Sequence, residues 1–137
     1  MTQPIQLNPS TAPATILVVE DEVLIRLVIA EYLRDCGYRV HEAANAEEAM
    51  AVLQAPHVSI DIVFSDVMMP GEMDGFALSR WIRDNHPRVD VVLTSGIERS
   101  ADVAGMLCEA GPLLKKPYEP QGVVDRIRQL IAKSRRS

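Results

Sequence analysis

The feature of this chain that most restricts its fold is a series of short apolar runs that each end in polar residues. One run, residues 16–19, leads into Glu20 and Asp21, and another, residues 62–64, leads through a serine into Asp66. Fully apolar runs of this length are typical of strands buried on both faces of a parallel sheet. In such sheets the ligand site lies beyond the carboxyl ends of the strands. These polar ends are therefore the predicted place for a functional site.

Stretches with helical spacing separate the runs, so that strands and helices alternate along the chain. The predicted strands are 15–20, 38–42, 61–65, 90–94 and 113–115, and the predicted helices are 22–36, 46–54, 76–85, 99–109 and 120–132. Asn45 is the expected N-cap of the second helix. Five alternations predict an α/β domain with a doubly wound five-stranded parallel sheet and crossover helices on both faces.

Length and composition fit one domain of this class. Of the 137 residues, 47% are hydrophobic and 24% are charged, which is ordinary for a soluble domain. Residues 1–13 contain three prolines and are predicted to be a disordered tail. Residues 14–132 are the predicted domain, and 133–137 a short basic tail. The net charge of −5 argues against general nucleic-acid binding.

The chain shows no sequence signal for export or for a membrane. No apolar stretch reaches spanning length and the N-terminus lacks a signal-peptide pattern, so we expect a cytoplasmic protein. Cys36 and Cys108 are far apart in sequence and lack the spacing of metal ligands. Both are expected to be reduced, partly buried thiols, without a disulfide between them.

Four predicted strand ends carry the residue types of a metal and phosphoryl site. Glu20, Asp21 and Asp66 would repel one another unless a cation joined them. Carboxylate oxygens suit Mg²⁺, with Mn²⁺ as a substitute. Thr94 offers a hydroxyl and Lys116 a positive charge to phosphoryl oxygens. An aspartate in such a site can act as a nucleophile and form an aspartyl-phosphate.

Each of these residues also has an ordinary structural interpretation. Glu20 and Asp21 could favour the start of the following helix. Asp66 could be a turn residue, Thr94 a plain strand residue and Lys116 a solvated lysine. Their joint occurrence at four separate strand ends favours the functional interpretation.

Four motifs at these strand ends resemble those of the response-regulator receiver domains of two-component signalling. They are VVED at 18–21, DIVFSDVMMP at 61–70, LTSG at 93–96 and LLKKPY at 113–118. The resemblance implies a flavodoxin-like (βα)₅ fold with strand order 2-1-3-4-5. It also implies a protein that accepts a phosphoryl group from a sensor histidine kinase or a histidine phosphotransfer protein. Such a protein then signals to a downstream protein target or relays the phosphoryl group.

The resemblance assigns roles to residues that flank the strand ends. Asp66 is implied as the phosphoacceptor. The implied ligands of Mg²⁺ are Glu20, Asp21, Asp66 and the backbone carbonyl of Met68. The implied contacts of the phosphoryl group are Thr94, Ser95 and Lys116, and the peptide bond before Pro117 is expected to be cis. Lys116 is preferred to Lys115 because the family's lysine directly precedes the proline.

Some positions depart from the family's common pattern. The loop from Pro70 to Gly75 is one residue longer than usual, which should reshape the surface beside the site. Leu113 stands where many receivers carry an aromatic residue that turns inward on phosphorylation, so the usual coupling to that aromatic is not expected. Met68 and Gly96 flank access to the phosphoryl group. Since Met68 cannot orient a water by hydrogen bonding, we expect modest self-dephosphorylation with a lifetime set partly by Met68.

Alternatives remain for the role of the chain. It could be a single-domain receiver, monomeric or weakly dimeric, or a receiver fragment of a hybrid histidine kinase or longer regulator. An Asp-nucleophile phosphatase is a remote alternative, because that class needs a second Asp where this chain has Met68. A flavin-binding carrier of similar fold is also remote, because the acidic residues 20–22 would repel a phosphate. We expect no enzyme activity beyond self-phosphorylation from a phosphodonor and slow self-dephosphorylation.

Overall fold

Residues 14–69 and 71–110 are described by the structure, a computed structural model. They form alternating strands and helices: β1 (Thr15–Val19), α1 (Val23–Asp35), β2 (Arg39–Ala43), α2 (Ala46–Gln54), β3 (Ile62–Asp66), α3 (Gly75–Asn85), β4 (Asp90–Thr94) and α4 (Ile97–Ala110). The predicted bounds of these elements agree to within two residues. The predicted fifth strand, last helix and both tails lie outside the described residues, as do Leu113, Lys116 and the peptide bond before Pro117.

The four described strands form one parallel sheet in the order β2-β1-β3-β4. This confirms the predicted α/β class and agrees with the flavodoxin-like order over these strands. β1 is central, and all five of its residues are buried. Because the strands are parallel, their carboxyl ends lie along the same edge of the sheet.

Helices cover both faces of the sheet. Alternate side chains of a strand point to opposite faces, so Ile16 and Val18 of β1 pack in one core and Leu17 and Val19 in another. The first core is shared with α1 and α4, and the second with α2 and α3. The polar groups of the central strand can therefore meet solvent only at its ends.

Side-chain caps set where two of the helices begin. Asn45 caps α2 as predicted, because its Oδ1 accepts a hydrogen bond from the Glu48 N–H at 2.8 Å. Glu48 Oε1 in turn accepts from the Ala44 N–H at 2.8 Å, a reciprocal arrangement typical of helix starts. Asp74 caps α3 by accepting from the Ala77 N–H at 2.9 Å. The cap at Asp74 fixes where the loop after β3 ends.

Two cysteines far apart in sequence are joined in the structure. Cys36, at the C-terminal end of α1, and Cys108, in α4, form a disulfide with Cα atoms 5.3 Å apart. The expectation of two reduced thiols was wrong, because α4 packs beside α1 and brings together residues separated by 72 positions. The Tyr38 hydroxyl also donates a hydrogen bond to the backbone carbonyl of Leu107 and links the same regions.

We expect the disulfide to add about 2–4 kcal/mol to the free energy of unfolding, because it closes a long loop in the unfolded chain. Urea unfolding of the oxidised protein and of a Cys36→Ser/Cys108→Ser double variant measures the difference. In the wild type, alkylation under denaturing conditions should modify both cysteines only after reduction, as read by intact mass. Alkylation of both without reductant would contradict the disulfide.

Candidate functional site

The carboxyl ends of β1 and β3 bring three carboxylates together at one edge of the sheet, and the end of β4 lies beside them. The residue before Glu20 is paired with the residue before Asp66, and Asp66 itself is paired with Thr94. One oxygen from each of Glu20, Asp21 and Asp66 lies within 4.8 Å of the other two. The structure thus assembles the acidic group that the strand ends predict.

These carboxylates line a cleft of about 200 Å³. Its lining residues are Glu20, Asp21, Glu22, Ile25, Asp66, Gly96 and Ser100. Glu20 is buried, Asp66 is half-buried and Asp21 is exposed. Such a set fits a hard divalent cation, because Mg²⁺ takes a few carboxylate oxygens and keeps several of its waters.

Glu20 lies in surroundings that disfavour its charged form. Burial raises the pKa of Glu20 to about 8; the hydrogen bond that Oε2 accepts from the Glu22 N–H at 3.0 Å opposes this rise, and the charge of Asp66 adds to it. A cation among the three carboxylates would favour the charged form instead. Both the geometry and the electrostatics of the acidic group therefore fit a bound metal ion.

The backbone at Glu20 is held by an arginine that the sequence did not single out. Arg26, on α1, donates from Nη1 to the Glu20 carbonyl at 3.0 Å, and its Nε lies 3.4 Å from Glu42 Oε1. The Glu20 N–H donates to the Ala43 carbonyl at 3.0 Å. The end of β1 is thus fixed by β2 through the main chain and by α1 through a side chain.

Asp66 is fixed by the backbone of the loop that follows it. Its Oδ1 accepts a hydrogen bond from the Met68 N–H at 3.2 Å. The Val67 N–H donates to the Thr94 carbonyl, and the Gly75 N–H donates to the Val67 carbonyl, both at 2.9 Å. A Cβ on Gly75 would lie 2.8 Å from the Cα of Val67. A larger residue there would push the loop away from Asp66.

Other residues predicted for the site differ in their relation to the cleft. The Met68 side chain is 73% exposed, and Ser95 is exposed next to the end of β4. Gly96 lines the cleft with φ of 84°, in the left-handed region that favours glycine. Lys116 lies outside the described residues, so its predicted contact stays a prediction.

Thr94 is buried, and its Oγ1 lies 2.9 Å from the Oγ of Ser100. Ser100 belongs to the site but was missed from the sequence. It shares one buried stripe of α4 with Ala104 and Cys108, four and eight residues further on. A hydroxyl on an otherwise apolar helix stripe was the available signal.

Comparisons with known proteins identify the family to which this chain belongs. Residues 16–128 match the family model described as the response regulator receiver domain. The chain is 36% identical over 121 residues to the sensor kinase CckA of Brucella abortus (strain 2308), a match over 88% of this chain and 13% of that protein. It is 33% identical over 124 residues to the transcriptional regulatory protein ResD of Bacillus subtilis (strain 168), over 90% of this chain and 50% of that one.

A solved structure of a response regulator is also similar to this chain. The response regulator protein TrrA from Thermotoga maritima, in complex with Mg²⁺-BeF, is similar with a TM-score of 0.57 and 27% identity over 85% of this chain and 98% of that chain. The chain therefore belongs to the response-regulator receiver family. It spans half or less of the length of CckA and ResD, so it corresponds to one part of each.

We expect the metal-free protein to lose stability as the pH rises from about 4.5 to about 8. In the unfolded chain Glu20 ionises near its ordinary pKa of 4.5, whereas in the folded protein burial holds the pKa at about 8. Across this window the unfolded state binds fewer protons, so the free energy of unfolding falls with rising pH. Urea unfolding in EDTA at a series of pH values measures the slope.

The matched variants for this test are Glu20→Gln, which should flatten the slope, and Glu31→Gln, an exposed position on α1, which should keep it. Saturating Mg²⁺ should restore stability at the alkaline end. A wild-type slope in Glu20→Gln would contradict the raised pKa.

Proposed function

We propose that the chain is a phosphorylation-dependent signalling domain in which Asp66 is the phosphoacceptor. The observation that carries this proposal is the convergence of Glu20, Asp21 and Asp66, with oxygens within 4.8 Å of one another, in a chain that belongs to the receiver family. The phosphoryl donor is a phosphohistidine of a sensor histidine kinase or a histidine phosphotransfer protein.

The transfer forms one bond and breaks another. An oxygen of Asp66 attacks the phosphorus while the bond from phosphorus to the donor's imidazole nitrogen breaks. The imidazole leaves with the electron pair. Because Oδ1 of Asp66 accepts the Met68 N–H at 3.2 Å, Oδ2 is the oxygen without that bond and the better nucleophile.

The acidic group supplies the cation site that this chemistry requires. Glu20, Asp21 and Asp66 would hold Mg²⁺, or Mn²⁺ in its place, together with the backbone carbonyl of Met68. Bound there, the ion would neutralise charge on the carboxylates and on the phosphoryl oxygens. Arg26 supports this arrangement by holding the carbonyl of Glu20, which keeps the acidic pair at the end of β1.

Phosphoryl contacts come from the neighbouring strand ends. Thr94 supplies a hydroxyl from the end of β4, where it is paired with Asp66, and Ser95 follows it at the exposed side. Lys116 supplies a positive charge. The space beside Gly96 is open, since a Cβ built there would have no atom within 4 Å.

The wider role extends this proposal to the whole chain. We assign residues 14–132 to the receiver domain, flanked by tails. The protein is cytoplasmic and is a monomer or weak dimer. It signals by contact with a downstream protein or by phosphoryl relay. Among the described residues, no helix is long and apolar enough to cross a bilayer. The negative net charge of −5 disfavours nucleic acid as the direct partner.

A second candidate is the receiver of a hybrid histidine kinase. It is favoured by the match to CckA, a sensor kinase of which the chain spans 13%. An antibody against this domain, applied to an extract of the source cells, distinguishes the two. A band near 15.2 kDa supports the single-domain protein, and a much larger band supports the kinase.

Incubation with Mg²⁺ and acetyl phosphate should add one phosphoryl group to the wild-type protein, as read by intact mass. Asp66→Asn should show no adduct, because it lacks the nucleophilic carboxylate. Asp84→Asn removes an exposed carboxylate on α3 and should behave like the wild type. EDTA should abolish the adduct. A folded wild-type protein that binds Mg²⁺ but forms no adduct would refute the proposal.

The phosphorylated protein should lose its phosphoryl group faster in a Met68→Asn variant. Met68 is 73% exposed beside Asp66 and cannot orient the attacking water, whereas an asparagine amide can. One added hydrogen bond corresponds to about a fivefold shorter half-life. Met68→Leu serves as the control and should leave the half-life unchanged. An equal half-life for Met68→Asn and the wild type would exclude a role for this position.

A further inference from the structure

We propose that Ser100 is a positioning residue for the phosphoryl contact: its hydroxyl donates to Thr94 Oγ1 and so turns the Thr94 proton towards the phosphoryl group on Asp66. This inference rests on the proposed function and adds a residue to it. It starts from the 2.9 Å contact between the two hydroxyls, each on a residue that is at least 96% buried. Both residues expose little surface to water, so each hydroxyl is expected to use a protein partner, and each has the other within hydrogen-bond distance.

The direction of this hydrogen bond decides what Thr94 can do. A hydroxyl has one proton to donate and two lone pairs to accept with. If Thr94 donates to Ser100, it has no proton left for another acceptor. If Ser100 donates to Thr94, the Thr94 proton is free for a phosphoryl oxygen. A negative phosphoryl group on Asp66 favours the second arrangement, and the two bonds in series polarise and strengthen each other.

The backbone holds both hydroxyls close to Asp66. Thr94 is the register partner of Asp66, and its carbonyl accepts the Val67 N–H at 2.9 Å. Ser100 lies in the first turns of α4, where its N–H donates to the Gly96 carbonyl at 3.0 Å. Its side chain lines the same cleft as Asp66, in which it is the one hydroxyl among the lining residues in the described part of the chain.

This geometry also links the phosphoryl group to α4. Because the Thr94 hydroxyl is hydrogen-bonded to Ser100 near the start of α4, a movement of Thr94 towards the phosphoryl group acts on that helix. Position 100 therefore influences how well Thr94 stabilises the transferred group without adding a charge or a metal ligand of its own.

A double-mutant cycle tests the inference, with wild type, Ser100→Ala, Thr94→Ala and the double variant. The readouts are the initial rate of Asp66 phosphorylation by acetyl phosphate, followed by intact mass, and the Mg²⁺ dissociation constant. Ser100→Ala should slow phosphorylation about fivefold, the equivalent of one hydrogen bond. Its Mg²⁺ affinity should be unchanged because the carboxylates are intact. In the Thr94→Ala background the same change should have no further effect.

Ser100→Thr keeps the hydroxyl and should restore the rate if its extra methyl group is accommodated. If the methyl group is not accommodated, the double-mutant cycle alone tests the role of Ser100. An unchanged rate in Ser100→Ala, or an equal loss in both backgrounds, overturns the role of Ser100 while Asp66 still takes up phosphate. Absence of any adduct on wild type overturns the proposed function and this inference together.

Discussion

Burial of the central strand on both faces is the constraint on which the rest of this structure depends. β1 has partners on both sides and apolar cores above and below it. Polar side chains are costly within such a strand and are confined to its ends. Parallel pairing then places the ends of β1, β3 and β4 side by side. The acidic cleft is thus a consequence of the same burial that stabilises the fold.

The site brings carboxylates of like charge close together, and neighbouring residues hold them in place. Glu20 is buried beside Asp66, and its raised pKa records the cost of that position. Arg26 contributes its positive charge to the Glu20 carbonyl and to Glu42 rather than to the carboxylates of the cleft. The acidic group is therefore held in place without being neutralised by a side chain in the described residues that line the cleft, which suits it to an external cation.

The sequence was sufficient for the fold and the acidic group because both depend on local pattern. Apolar runs with polar ends identify strands and their functional edge, and Asn45 identifies a helix start. The disulfide and the Thr94–Ser100 pair could not be derived in this way. Both depend on how α4 packs against the sheet and against α1, which apolar spacing alone does not specify. Arg26 was missed for a similar reason, since it lies on α1 while its partners are the Glu20 carbonyl after β1 and Glu42 on β2.

The hydrogen bond between the Val67 carbonyl and the Gly75 N–H closes the neck of the loop that follows Asp66. The residues between Val67 and Gly75 form a loop whose two ends are joined by this hydrogen bond. Adding a residue there lengthens a loop closed at its base, which costs little free energy. The extra residue predicted between Pro70 and Gly75 therefore alters the outer surface without changing the distance from the strand end to α3. Residues in that loop can therefore change without moving Asp66 or the start of α3.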